Sequence, residues 1–197
     1  LADRVEVRLV AVESNPQRIE EETLTKEGQR LVSKYLFEHA VSLDELQEEV
    51  SAKEPNQQGY LISGIAHALS ANISLPQNGA PIDHLPAIKA AVAALAPDDE
   101  ISQQFDRIDQ FFQQYQQQTL QLRSSLEQQY EPKLRQKQQQ LAQQYGRMVE
   151  LTCEQDPEFL ELLSKHIQQL DEQYRAVLDE VKTQIKDHII QHYSANS

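Results

Sequence analysis

Two histidines near the end of the sequence have the spacing of metal ligands. His188 and His192 are four residues apart, which places both imidazoles on one face of a helix, and Asp187 is adjacent. Zinc sites use at least three protein ligands, and the sequence offers no clear third one. Histidines near a helix C-terminus also interact favourably with the helix dipole. We therefore expect a structural role for the pair and no bound metal.

Cys153 is the only cysteine and the only candidate thiol nucleophile. Glu154 and Asp156 lie beside it, and neighbouring carboxylates raise the pKa of a thiol and so reduce the reactive thiolate. With only five glycines, the chain contains neither the P-loop nor the dinucleotide-binding fingerprint. These observations predict a protein that is not an enzyme and that has no cofactor.

The charge balance argues against several kinds of partner. The formal net charge is -13, and the 18 Lys and Arg are scattered among 31 Asp and Glu, without a basic patch. Contact with nucleic-acid phosphates or anionic lipids would bring like charges together. Direct nucleic-acid binding is therefore not expected, and the partner should be a protein, a second copy of the chain, or both.

The location of the protein is inferred from cysteine usage and hydropathy. One cysteine cannot form an intrachain disulfide, so nothing calls for an oxidising compartment. No apolar run reaches the ~18 residues of a membrane span, and the N-terminus lacks the pattern of a signal peptide. We expect a cytoplasmic protein with no membrane span. Because the chain begins at Leu1 rather than Met, a processed protein or a fragment of a longer one remains an alternative.

The elements that must position these residues are clearest in the second half of the chain. Apolar side chains there alternate steps of four and three residues, which is the heptad pattern of a coiled coil. They are Ile101, Phe105, Ile108, Phe112, Tyr115, Thr119, Leu122 and Leu126. The apolar positions then shift to Tyr130, Leu134, Leu141, Tyr145 and Met148. Pro132 lies at this shift and predicts a kink or a short break near residues 129–133.

A second long helix follows at once. Asp156, Pro157 and Glu158 form a helix start, with an Asp cap, a proline in the first turn and an early acid. Its apolar stripe consists of Leu160, Leu163, Ile167, Leu170, Tyr174, Val177 and Val181, continuing through Ile185 and Ile189. Only about four residues, 152–155, separate the helices, and so short a connection forces them to run antiparallel. The sequence predicts a long antiparallel coiled-coil helical hairpin with helices at about 98–152 and 157–193.

The two predicted helices differ in length. Paired back from the turn, the second helix covers the first only to around Tyr115, so the start of the first helix has no partner within the hairpin. Exposing several large apolar side chains is costly. We expect this segment to pack on the N-terminal helices or on another subunit, which makes it the predicted protein-interaction site. Its residues are Ile101, Phe105, Ile108, Phe111, Phe112 and Tyr115.

Residues 1–97 are predicted to form a small N-terminal helical domain of four short helices, with or without a short β element. Val5, Val7 and Leu9 alternate with polar residues as in a half-buried strand, and residues 71–75 are a candidate partner strand. Ser42 and Glu45 have the spacing of a helix capping box. Gly28 marks a weak point or a close approach within the first helix.

Residues 27–69 also have the order and lengths of a helix-turn-helix or winged-helix unit. A recognition helix should present cationic or amide side chains to bases and phosphates. The segment from Tyr60 to Ser70 has no Lys or Arg, and His67 is its only candidate cation. A unit of this type is therefore expected to bind protein rather than DNA.

Two functions fit the mostly α fold. The preferred one is a non-catalytic protein-protein interaction, scaffold or adaptor subunit of a larger cytosolic complex, which uses the hairpin for assembly. The alternative is an accessory or regulatory region of a larger nucleic-acid-processing enzyme, with the winged-helix-like unit as its docking module. A helical ligand binder with a pocket among the N-terminal helices stays open.

Overall fold

A computed structural model describes residues 16–76 and 83–195. Within these ranges the protein is mostly helical and contains no strand. The helices are α1 (Pro16–Ser33), α2 (Leu43–Ser51), α3 (Pro55–Ala71), α4 (Leu85–Leu95), α5 (Asp99–Tyr145) and α6 (Pro157–Ala195). A π-helical turn (Lys34–Glu38) follows α1, and a 3-10 turn (Cys153–Gln155) precedes α6. The predicted strand at Val5, Val7 and Leu9 lies outside the described residues.

The predicted partner strand at residues 71–75 is wrong. Helix α3 continues to Ala71, and Asn72 ends it by donating from its backbone and its side-chain amide to the carbonyl of Ala68. Ile73 and Leu75 then enter the apolar core from an irregular segment. Burial of the two side chains does not require a strand here, because the segment packs against helices.

Local signals place the starts of α2, α5 and α6 correctly. The hydroxyl of Ser42 accepts a hydrogen bond from the backbone N–H of Glu45, whose carboxylate accepts one from the N–H of Ser42. This capping box begins α2, as predicted. Asp98 caps α5 by accepting from the N–H of Glu100, and the carboxylate of Asp156 accepts from the N–H of Glu158 at the start of α6.

Helices α1 and α3 run parallel and pack very closely. Glu20 is hydrogen-bonded to Gln57, and further along both helices Gly28 lies against Ile65, so the contacts advance in the same direction. A Cβ on Gly28 would lie 2.3 Å from the carbonyl oxygen of Leu61. Gly28 is therefore a point of close packing, one of the two roles predicted for it. Helix α3 lies between α1 and α6 and is the centre of the fold.

Helix α5 continues through Pro132 to Tyr145. The predicted short break is wrong, and a kink at this point stays a prediction. Proline removes the hydrogen bond to the carbonyl four residues earlier, which belongs to Gln128, and Gln128 is exposed to solvent that can replace the missing donor. The helix ends at Gly146, whose φ of 66° is the left-handed conformation that favours glycine.

The connection to α6 is longer than predicted. It spans eleven residues, 146–156, and runs back along α5, where the amide of Gln138 donates to the carbonyl of Leu151. Helix α6 therefore begins opposite Tyr130. Contacts between the helices join Tyr130 to Glu158, Tyr115 to Asp171 and Gln104 to Gln184. The helices are antiparallel, and the end of α5 extends beyond the pair.

This register corrects the predicted one. Helix α6 reaches the start of α5, so the segment expected to lack a partner has one, and the unpaired part of α5 lies at its other end. The apolar stripe of α6 also differs from the prediction. Phe159 and Leu178 are 0% and 3% exposed, whereas the predicted Leu160 and Val177 are 46% and 49% exposed. At Leu178 the stripe is displaced because this part of α6 packs in the main core with α3 as well as on α5. Phe159 packs instead on Leu126 and Tyr130 of α5.

One apolar core joins the two predicted units. It contains residues from α1 to α4 together with Phe105 and Ile108 of α5 and Ile185 and Ile189 of α6. A second, smaller core at the far end of the α5–α6 pair is formed by Leu126, Tyr130 and Phe159. The predicted domain boundary at residue 97 stays a prediction. None of the described helices is both long and apolar enough to cross a bilayer.

Candidate interaction surfaces

The residues predicted to meet a partner lie in the chain's own core. Five of them are buried, with exposed fractions of at most 7%: Ile101, Phe105, Ile108, Phe112 and Tyr115. Phe111 is half-buried, and its ring centroid lies 4.7 Å from that of Tyr174 in α6. Packing on the N-terminal helices was one of the two predicted outcomes. Contact of this segment with a partner protein stays a prediction. Phe111 is the one of the six residues that is accessible enough to make such a contact.

A polar network fastens the far end of the pair, residues 131–156, which we call the tip. The Asp156 carboxylate, 2% exposed, accepts hydrogen bonds from the Tyr130 hydroxyl at 3.0 Å and from Lys137 Nζ at 2.6 Å. Lys137 also pairs with Glu158 at 2.8 Å, and Lys133 pairs with the same carboxylate. A buried carboxylate requires such partners. The network joins α5, the connection and the start of α6 at one point.

The network shifts the pKa values of its members. Burial alone would raise the pKa of Asp156, but hydrogen bonds from Lys137, from the N–H of Glu158 and from Tyr130 hold it below its usual value. Hydrogen bonds from Lys133 and Lys137 lower the pKa of Glu158 to about 2. Hydrogen bonds to Asp156 and Glu158 raise the pKa of Lys137. Both acids and Lys137 are therefore charged at neutral pH.

Beyond the network, the tip presents apolar side chains to solvent. Met148 is 90% exposed and Tyr145 is 61% exposed, although both were predicted to continue the buried seam. Ala142, Met148 and Val149 line a groove of about 310 Å³ between the end of α5 and the connection. The side chains are uncovered because α6 begins opposite Tyr130, so none of the helices described in residues 16–76 and 83–195 lies over the last turns of α5.

A second surface runs along one side of the α5–α6 pair. At mid-length, a groove of about 450 Å³ has Leu122 and Leu170 at its floor and glutamines at its rim. The rim residues are Gln118, Gln121, Gln169 and Gln173. We call this the amide groove. A further groove of about 430 Å³ near the start of α5 is lined by Arg107, Gln184 and His188, among others.

Helix geometry places both grooves on the same side of the pair. In α5, Arg107 lines the groove near the start of the helix and Ser125 lines the amide groove, 18 residues later. In α6, His166 lines the amide groove and Gln184 lines the other groove, again 18 residues later. Eighteen residues make five complete helical turns, so each helix presents the same face at both grooves. The end of α3 lies on the opposite side, where Leu75 faces Ile167 across a separate groove.

The helix that would read DNA in a helix-turn-helix unit is α3. Its residues Leu61, Ile62, Ile65 and Leu69 are all fully buried, and the helix is packed between α1 and α6. A helix covered on two sides cannot lie in a DNA groove in the manner of a recognition helix.

The candidate chemical residues are not brought together. His188 Nε2 lies 3.3 Å from the carbonyl oxygen of Ala96, and His192 packs edge-on against Tyr193. No group of three or more His, Cys, Asp or Glu that could hold a metal ion occurs among residues 16–76 and 83–195. Burial, Glu127 and Asp156 raise the pKa of the Cys153 thiol. The direction matches the prediction, but burial contributes most.

Comparison with known proteins relates the chain to one family. Residues 47–187 match the model described as Family of unknown function (DUF6657). The chain belongs to this family. The DUF6657 match begins within α2 and ends near the end of α6, so it includes the tip, the amide groove and most of the core. No curated protein and no solved structure matches the chain.

Proposed function

We propose that this DUF6657 protein is a non-catalytic interaction subunit, a scaffold or adaptor of a cytosolic complex. In this proposal α5 and α6 act as a coiled-coil hairpin, and its tip contacts a protein partner. The observation that carries the proposal is that Met148, 90% exposed, lies beside Ala142 and Val149 in one groove at the end of a long helix pair. Exposed clusters of large apolar residues mark interaction sites in soluble proteins.

The tip is suited to binding because its geometry is fixed. The amide of Gln138, which lines the groove beside Met148, donates to the carbonyl of Leu151, and Asp156 is hydrogen-bonded to Tyr130 and Lys137. Both contacts tie the connection to α5 and hold the groove in a preformed shape. A preformed surface loses less conformational entropy on binding than a flexible one does. Methionine also adapts to irregular partner surfaces. The alternative, a winged-helix docking module of a nucleic-acid enzyme, has less support because α3 is covered on two sides.

Site-specific photo-crosslinking in the source cells tests the proposal. A photoreactive amino acid replaces Met148 in one variant and Leu120 in the control. Leu120 is 69% exposed on the same helix pair and lines neither the tip groove nor the amide groove. We expect a discrete covalent adduct with one protein from position 148 and none from position 120. Equal, diffuse labelling from both positions would overturn the proposal.

A paired substitution supplies the second test. Met148→Glu combined with Tyr145→Glu replaces apolar contact area with charge and should abolish co-purification of the protein that position 148 captures. Because both side chains are exposed, the helical circular-dichroism signal should stay that of the wild type. Undiminished co-purification would show that the tip is not the contact surface.

A further inference from the structure

The amide groove differs in charge from the chain as a whole. None of the eight residues that line the amide groove is Asp, Glu, Lys or Arg, although the chain carries a net charge of -13. Two copies of so acidic a protein repel each other over most of their surfaces. At the amide groove they can approach without placing like charges in contact.

The rim of the groove is complementary to itself. A glutamine amide is both a hydrogen-bond donor and an acceptor, so a rim of glutamines can pair with an identical rim related by a two-fold axis. The side chains of Gln118, Gln121, Gln169 and Gln173 form no hydrogen bond within the described part of the chain, so their amides are available. At the floor, Leu122 and Leu170 are half-buried and supply apolar contact area.

The size of this side also fits a dimer. From residue 103 to residue 125, α5 is about 33 Å long at 1.5 Å per residue. Two adjacent helices are about 19 Å wide, which gives a footprint of roughly 600 Å² per copy. The total of roughly 1,200 Å² is at the lower end of specific interfaces. Beyond the amide groove, Glu100 and Arg107 carry opposite charges. The exposed Glu180 lies on the same face of α6 as Gln173 and Gln184, so this part carries a small negative charge.

We infer that the amide groove binds the same groove of a second copy, so that two helix pairs form a four-helix arrangement around a two-fold axis. The inference deepens the proposed assembly role and rests on it, but it uses a different surface from the tip. Each copy contributes α5 and α6, and α3 stays on the outer side of each pair. The tips then remain free for their own partner.

The test compares two charge-matched double variants by analytical ultracentrifugation of the full chain between 1 and 100 µM. Gln121→Glu with Gln169→Glu places carboxylates at the rim of the groove. In the dimer these carboxylates would lie against the same carboxylates of the second copy and repel them. Gln113→Glu with Gln117→Glu adds the same charge at exposed positions of α5 that line neither groove. We expect a wild-type dimer, at least a tenfold rise in the dissociation constant for the groove variant, and less than a threefold rise for the control.

Salt gives an independent readout. No Asp, Glu, Lys or Arg lines the amide groove, so salt has no ion pair to weaken there. The two copies are both acidic and repel each other, and salt screens this repulsion. Raising NaCl from 50 to 500 mM should therefore strengthen the dimer. A wild-type monomer at 100 µM, a dimer that the groove variant leaves intact, or a dimer that salt weakens would each overturn the inference. A monomer that still forms the adduct at position 148 would overturn the inference alone and leave the proposed function standing.

Discussion

Gly64 of α3 lies so close to α1 that a Cβ on it would stand 2.1 Å from the carbonyl oxygen of Thr25. The contacted atoms belong to the backbone and cannot rotate away as a side chain would. Gly64→Ala should therefore force α1 and α3 apart and lower the free energy of unfolding by about 1–3 kcal/mol. Urea denaturation followed by circular dichroism measures the change.

The matched control for this prediction is Gly59 in the same helix. A Cβ on Gly59 would meet nothing within 4 Å. Gly59→Ala should raise stability by about 0.5–1 kcal/mol, because alanine loses less conformational entropy than glycine in a helix. If both alanine variants were equally stable, the close approach of α1 and α3 would be wrong.

The orientation of α6 is tested by two adjacent residues. Leu178 is 3% exposed, so Leu178→Ala should lower the free energy of unfolding by about 2–5 kcal/mol through lost burial and the cavity that remains. Val177 is 49% exposed, and Val177→Ala should change it by less than about 0.5 kcal/mol. The heptad pattern alone predicts the opposite order, so the same urea titrations decide between the two stripes.

The starts of α2 and α6 were predictable because their signals are local. The capping box of Ser42 and Glu45 and the start at Asp156 and Pro157 depend on atoms within a few residues of each other. The pairing of α5 with α6 was not predictable in this way. A heptad pattern indicates that a stripe is buried, but it does not indicate which helix covers the stripe. The first half of α6 packs on α5, and its second half packs on both α5 and α3.

The candidate surfaces followed from features that the sequence only partly indicates. Gly146 ends α5 in the left-handed conformation, and this early end, with the long connection after it, leaves Met148 exposed. Asp156 was predicted as a helix cap, but its contacts with Tyr130 and Lys137 depend on how the connection folds back. Glutamine is a good helix former and fills many exposed positions of α5 and α6. Its concentration along one open side depends on where α3 packs.

The role of Asp156 can be tested by removing its charge. Asp156→Asn keeps the size of the side chain but weakens the charge-assisted hydrogen bond from Lys137, and such bonds contribute about 1.5–3 kcal/mol. We expect faster hydrogen exchange in the first turn of α6 and in the connection, with α1 and α3 unchanged. Asp179→Asn is the control, because Asp179 is an exposed residue whose ion pair with Lys182 is 3.6 Å long. Unchanged exchange at the tip in Asp156→Asn would contradict the assigned role.

Acid should weaken the tip through Glu158. Its pKa is lowered from 4.5 to about 2 by Lys133 and Lys137, so the unfolded chain binds a proton at a higher pH than the folded chain does. The stabilisation is therefore complete above about pH 4.5 and is lost as the pH falls toward 2. The stability difference between wild type and Glu158→Gln, measured by urea denaturation, should shrink from pH 6 to pH 2.5. Because Glu158 is exposed, 0.5 M NaCl should reduce this difference at pH 6, and a difference that grew on acidification would contradict the pairing with Lys133 and Lys137.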